Sequence, residues 1–231
     1  MSVFRSLPGL SLGVALGLAA ALPAAAAVTD ATAFVSGQGT QVVGGVTWTP
    51  TGGVFQQKFG FLPLGVGVSG GRTGDEIDIG EAITGTPLGG PVRVTSLTLG
   101  VLFDGPEFDD VNEVAQVTVN GTLSFLLTAI GATTATWTGL GTVTNISPAT
   151  ANGGGAGWRI DNPFGQLAIT SISLTALPGA CAGDALLGGC SNPSDFTLVQ
   201  MVTAPAAVPA PGALALFGAA LLGLGLARRR A

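Results

Sequence analysis

Between Gln116 and Phe125 the sequence reads QVTVNGTLSF, and this stretch constrains the fold more than any other. Val117 and Val119 alternate with Thr118, and Leu123 and Phe125 flank Ser124, so apolar side chains recur every second residue and share one face of an extended chain. Asn120-Gly121 sits between the two halves. Both residues tolerate positive φ, which a type I′ hairpin turn requires at its two central positions. The same alternation returns in PVRVTSLTLGVLF (91–103), LAITSISLTAL (167–177) and DFTLVQMV (195–202), and in the shorter AFVS, QVVGGVTW, EIDIGEAI, TATWTG, GTVTNI and GWRIDN. Nothing between 28 and 205 carries a convincing helical period, and 38 Gly supply turns throughout. Roughly ten short strands punctuated by Gly and Asn predict an all-β fold, an antiparallel β-sandwich of jelly-roll-like type over residues 28–202.

The two ends are of another character. MSVFRSLPGLSLGVALGLAAALPAAAAVTD places Arg5 before an apolar stretch from Leu7 to Leu22, and Ala25 and Ala27 form an A-x-A site, which together read as a signal peptide cleaved after Ala27. At the other end TAPAAVPAP (203–211) is a Pro/Ala linker, since its prolines remove backbone donors and favour extended chain. Gly212 to Ala227 follow as 16 uncharged residues, short against the roughly 20 of a membrane span. Arg228, Arg229 and Arg230 extend its reach by snorkelling and stay on the cytoplasmic side. A transmembrane helix over 212–227 is expected.

Val208-Pro209-Ala210-Pro211, the apolar segment and the arginine cluster, in this order and spacing, resemble the PEP-CTERM sorting domain. The resemblance covers residues 208–231, and Ala210 stands where the family's namesake has Glu. It implies an exported protein of a Gram-negative bacterium that makes extracellular polysaccharide. The precursor would be held on the periplasmic side of the inner membrane and processed near the proline motif by an exosortase-like membrane protease. The destination is the cell surface or extracellular matrix, with extracellular polysaccharide as a candidate partner.

Charge narrows the classes of function. Only Lys58, Arg72, Arg93 and Arg159 face all 13 acids in the region between the ends, which argues against a nucleic-acid partner. With no His in the chain, Ser-His-Asp and Cys-His arrangements are absent, and so is the usual zinc hydrolase site. No catalytic residue is assigned; a pair of carboxylates could still cleave a glycosidic bond, if two of them faced each other about 5–10 Å apart in a cleft. The expected role is structural or adhesive.

Three features remain as candidate sites. FDGPEFDDVNEV concentrates oxygen-bearing side chains after a strand, and Asp104, Asp109, Asp110, Asn112 and Glu113 form a candidate calcium set; no other cofactor is expected. GDEIDIGE adds Asp75, Glu76, Asp78 and Glu81, which could complete such a site only if folding brings the two loops together. Trp48, Trp137 and Trp158 would serve a calcium-dependent carbohydrate-binding module if their rings were exposed together; packing is the commoner use of a strand Trp. Cys181 and Cys190, in one Gly-rich loop of an exported chain, are expected to form a disulfide, worth roughly 2–3 kcal/mol by loop-closure entropy.

Overall fold

The computed structural model describes residues 26–59, 65–104, 111–147, 157–181, 193–206, 217, 218 and 220. The strands in chain order are β1 (Ala27–Asp30), β2 (Gln41–Val43), β3 (Val46–Thr51), β4 (Phe55–Lys58), β5 (Gly65–Val68), β6 (Ala82–Pro87) and β7 (Val92–Gly100). They continue as β8 (Val111–Val119), β9 (Leu123–Gly131), β10 (Thr134–Trp137), β11 (Thr142–Asn145), β12 (Gly157–Asp161), β13 (Ile172–Cys181) and β14 (Thr197–Pro205). Among the described residues a single 3-10 turn, Ala31–Ala33, interrupts them. The first sheet runs β11-β12-β7-β14-β5-β4, with β1 also on β14, and the second runs β10-β9-β8-β13-β6-β3-β2. Every pairing between these strands is antiparallel. The expected all-β architecture of two antiparallel sheets is what forms.

The core lies between the sheets. On β8 the inward phase is Val111, Glu113, Ala115, Val117 and Val119, and Ile172, Leu174 and Ala176 of the neighbouring β13 are buried with it. The first sheet contributes Leu97, Leu99, Trp158, Ile160, Leu198 and Met201. Each such aliphatic side chain, fully buried, contributes on the order of 1.5–3 kcal/mol. Trp48 on β3 lies opposite Gly85 on β6, where a Cβ would come within 2.7 Å of the indole. Glycine is needed there because the ring occupies the space.

The turns follow the sequence. Asn120 and Gly121 have φ of 54° and 70°, and the Thr122 N–H donates to the Val119 carbonyl, closing the β8–β9 hairpin as the Asn-Gly pair predicts. Asn120 also fastens this hairpin to its neighbour: its Oδ1 accepts from the Thr170 N–H at 2.7 Å, and its Nδ2 donates to the Ala168 carbonyl at 2.9 Å. Gly44 and Gly45, with φ of 60° and 72°, connect β2 to β3.

Other segments differ from expectation. AFVS forms no strand: Asp30 caps the 3-10 turn through Thr32, and the chain then runs beside β4, where Gly37 and Gln38 exchange hydrogen bonds with Phe55. That segment covers what would otherwise be an open sheet edge. EIDIGEAI is a connection with isolated bridges, and regular pairing begins only at Ala82. β14 continues to Pro205, opposite Val92, so residues 203–205 of the expected linker belong to a strand.

The two ends of the domain meet. β1 pairs with β14 so that Ala27 lies opposite Thr203, and the described domain therefore begins and ends at one pole. Among the described residues no helix is long and apolar enough to cross a membrane. Phe217, Gly218 and Ala220 are helical, while the rest of the predicted 212–227 helix lies outside the described residues. So do Ala25, Val208, Pro209, Pro211, Arg228, Arg229, Arg230 and Cys190. Cys181 ends β13 with its side chain undescribed, which puts the expected disulfide outside as well.

Candidate functional site

Among the described residues the candidate calcium set is not brought together as one site. Asp109 and Asp110 lie outside the described residues, and Asp104 is half-buried after β7. Asn112 and Glu113 are consecutive on β8, so their side chains leave opposite faces of the sheet and cannot share an ion. Glu113, only 1% exposed, is turned into the sandwich, where its Oε2 accepts the Phe103 N–H at 2.6 Å. It joins the end of β7 to β8. The signal was in the sequence: counting back in twos from Val119 and Val117 through Ala115 puts Glu113 on the core face.

The other acidic stretch is folded against both sheets. After β5 the chain makes a Gly-rich excursion, returns through residues 76–79, and enters β6. The Val68 N–H donates to the Glu76 carbonyl at 2.8 Å, the Ile77 N–H donates to Phe196 at 2.7 Å, and Ile79 bridges Ala176 on β13. The segment therefore touches both sheets at one end of the sandwich. A Cβ on Gly67 would run into the Glu76 backbone, so the glycine in GVGV admits this close approach.

Four carboxylates gather along this segment. Lys58, the last residue of β4, places its Nζ 2.9 Å from Asp75 Oδ1 and 2.7 Å from Glu76 Oε1. Burial alone would lower the Lys58 pKa, but the hydrogen bonds and charges of Asp75 and Glu76 outweigh it and raise the value above its usual 10.5. Asp78 is 3% exposed, and its Oδ2 accepts from both the N–H and the hydroxyl of Thr73 at 3.0 Å. Glu81 is 5% exposed; its Oε2 accepts the Asp78 N–H at 3.0 Å, while its own N–H donates to the Asp78 carbonyl. Burial pushes the Glu81 carboxyl above its ordinary pKa and the Asp78 charge adds to this, against the pull of the Asp78, Gly70 and Gly71 amides. The outer oxygens, Asp78 Oδ1 and Glu81 Oε1, are buried and accept no hydrogen bond from any described residue.

Glycines form the wall of this pair. A Cβ on Gly71 would collide with Asp78 Oδ2, and one on Gly70 would fall against the Gly52 carbonyl oxygen and within 3.0 Å of Glu81 Oε1. The β3–β4 turn at Gly52-Gly53 and the Gly70-Gly71 segment thus leave main-chain atoms beside the two carboxylates. Among the described residues no cluster of three or more His, Cys, Asp or Glu is gathered to hold a metal, so the arrangement is a pair of acids in a backbone cradle.

The tryptophans are used for packing. Trp48 and Trp158 are buried, and the Trp158 Nε1–H donates to the Leu102 carbonyl at 3.0 Å. Trp137 is half-buried, stacks on Phe125 at 5.7 Å and donates to the Leu140 and Pro163 carbonyls. The three rings are not exposed together as a flat face. In comparisons with protein-family models, with curated proteins and with solved structures, nothing matches the chain.

Proposed function

We propose that the chain is an exported, non-enzymatic β-sandwich protein, sorted by its C-terminal tail to the cell surface or extracellular matrix and structural or adhesive there. One observation supports this most. β1 and β14 pair with Ala27 opposite Thr203 and Val28 opposite Val202, so a leader ending at Ala27, the first residue of β1, and a tail beyond β14 leave the domain at the same pole. A domain tethered that way stands off the membrane with its opposite pole presented outward, and processing near Pro209 and Pro211 releases it without disturbing a strand, since β14 ends at Pro205. The jelly-roll-like reading draws on the crossovers from β6 to β7, β7 to β8, β12 to β13 and β13 to β14, each of which changes sheet.

The alternatives draw less support. A sugar-binding face of exposed indoles is not available from Trp48 and Trp158, which are buried. Glycan cleavage by paired acids needs carboxylates opposed across a cleft, whereas Glu81 is hydrogen-bonded to the backbone of Asp78.

Intact mass of the protein from cells and from medium, with and without an exosortase-like protease, tests the reading. The expected result is loss of residues 1–27 and of the tail beyond the proline motif, the second loss depending on that protease. Retention of Gly212 to Ala231 in both strains would overturn it.

A further inference from the structure

We propose that Asp78 Oδ1 and Glu81 Oε1, together with the Gly52 main-chain carbonyl, form a site for one calcium ion where the 69–81 segment closes the end of the sandwich. The first ground is electrostatic. Two neighbouring carboxylates are more than nine-tenths buried, and each keeps one oxygen that accepts no hydrogen bond from a described residue. A buried ionised carboxylate with unmet lone pairs is costly, and two side by side repel each other. The charged groups on the same segment and the strands against it are Asp75, Glu76, Arg72, Lys58 and Asp195; Lys58 is engaged by the first two, and Arg72 and Asp195 are engaged as well. A cation held between the outer oxygens removes the repulsion and supplies the missing partner.

The second ground is the cradle. Gly52, Gly70 and Gly71 bring backbone to positions where any Cβ would meet the acids or one another, and the Gly52 carbonyl oxygen and Glu81 Oε1 both lie within 3.0 Å of the point a Gly70 Cβ would occupy. Carboxylate, carbonyl and water oxygens in a loose shell of six to eight are what calcium takes, whereas magnesium demands a tighter octahedron and keeps its waters. Softer ions prefer imidazole or thiolate, and the chain contains no His. With two carboxylates the site is weak, with a Kd on the order of 10⁻⁴ to 10⁻³ M, the range of extracellular calcium modules.

The test uses the full-length protein, stripped with chelator and titrated with calcium chloride by calorimetry. One ion per chain is expected, with a rise in Tm of about 5–10 °C at a hundredfold excess over Kd. Asp78→Asn and Glu81→Gln are each expected to weaken binding at least about tenfold, while Asp161→Asn, an exposed residue at the end of β12, leaves it unchanged. Hydrogen exchange on the unmutated protein locates the ion even if the variants fold poorly: calcium should slow the amides of residues 70–81. No bound ion, equal binding in both variants, or protection confined to another region would each overturn the proposal.

Discussion

The 69–81 segment carries two pairs of carboxylates within seven residues, and the fold treats them oppositely. Asp75 and Glu76 share the ammonium of Lys58, two charge-assisted contacts under 3 Å. Asp78 and Glu81 are as deeply placed as Glu76, but their donors are neutral, the amides of Asp78, Thr73, Gly70 and Gly71 and one hydroxyl, and each retains an outer oxygen with no hydrogen bond to a described residue. The first pair is satisfied by charge from a strand 17 residues earlier in the chain. The second is held in position by neutral groups and stays electrostatically frustrated. The contrast shows that burial of an acid is not by itself evidence of a structural role; what matters is whether its charge has been met.

Removing the cation should therefore matter most. Lys58→Met leaves Glu76 buried without compensation. Breaking a fully buried pair costs about 3–5 kcal/mol, and the part exposure of Lys58 and Asp75 reduces the expected loss to about 2 kcal/mol. Urea unfolding measures it, and a loss under about 0.5 kcal/mol would mean that the two pairs do not differ in the way described. The next largest effect has the opposite sign. In chelator, Glu81→Gln removes one of two repelling charges, keeps an acceptor for the Asp78 N–H and turns an amide toward the Gly52 carbonyl; a gain of about 1 kcal/mol is expected. Destabilisation in chelator would show that this pair, too, is already balanced.

The sequence revealed the sandwich through local signals, and it offered Asp78 and Glu81 only as additions to the 104–113 set, because what surrounds them is set by non-local contacts. The β8–β9 hairpin follows from Asn120-Gly121 and its flanking alternation, because turn chemistry and period lie within ten residues. β4 and β5 escape the same reading: FQQK has one apolar residue, and in GVGV the glycines mark close contact with the Glu76 backbone and with Thr197, the latter far away in sequence. In EIDIGEAI the alternation is real, yet both phases are buried at Glu76, Ile77 and Asp78, so a half-exposed strand is the wrong inference from it. The acids of FDGPEFDDVNEV were the more conspicuous by count. One of them, Glu113, is a core residue, a role set by its phase on β8 and not by its neighbours.

The smallest effect is the most selective, because it addresses the first pair alone. The folded pKa of Lys58 lies above its unfolded value, so the native state holds the proton more tightly. The sign follows from linkage: the stabilisation from pairing is fully present below the unfolded pKa and is lost as pH rises through the folded one. Lys58 is the only lysine and the chain has no Tyr, which leaves Cys181 and Cys190, if reduced, as the only other side chains titrating in the alkaline range. Urea midpoints measured from about pH 9 to 12 should fall for the unmutated protein, stay nearly flat for Lys58→Met, and fall in parallel with the unmutated protein for Glu81→Gln. Equal slopes for the first two would mean that Lys58 does not carry the charge balance of Asp75 and Glu76. An altered slope in Glu81→Gln would mean that Lys58 reaches the second pair as well, and the segment would then be a single network of four acids around one cation.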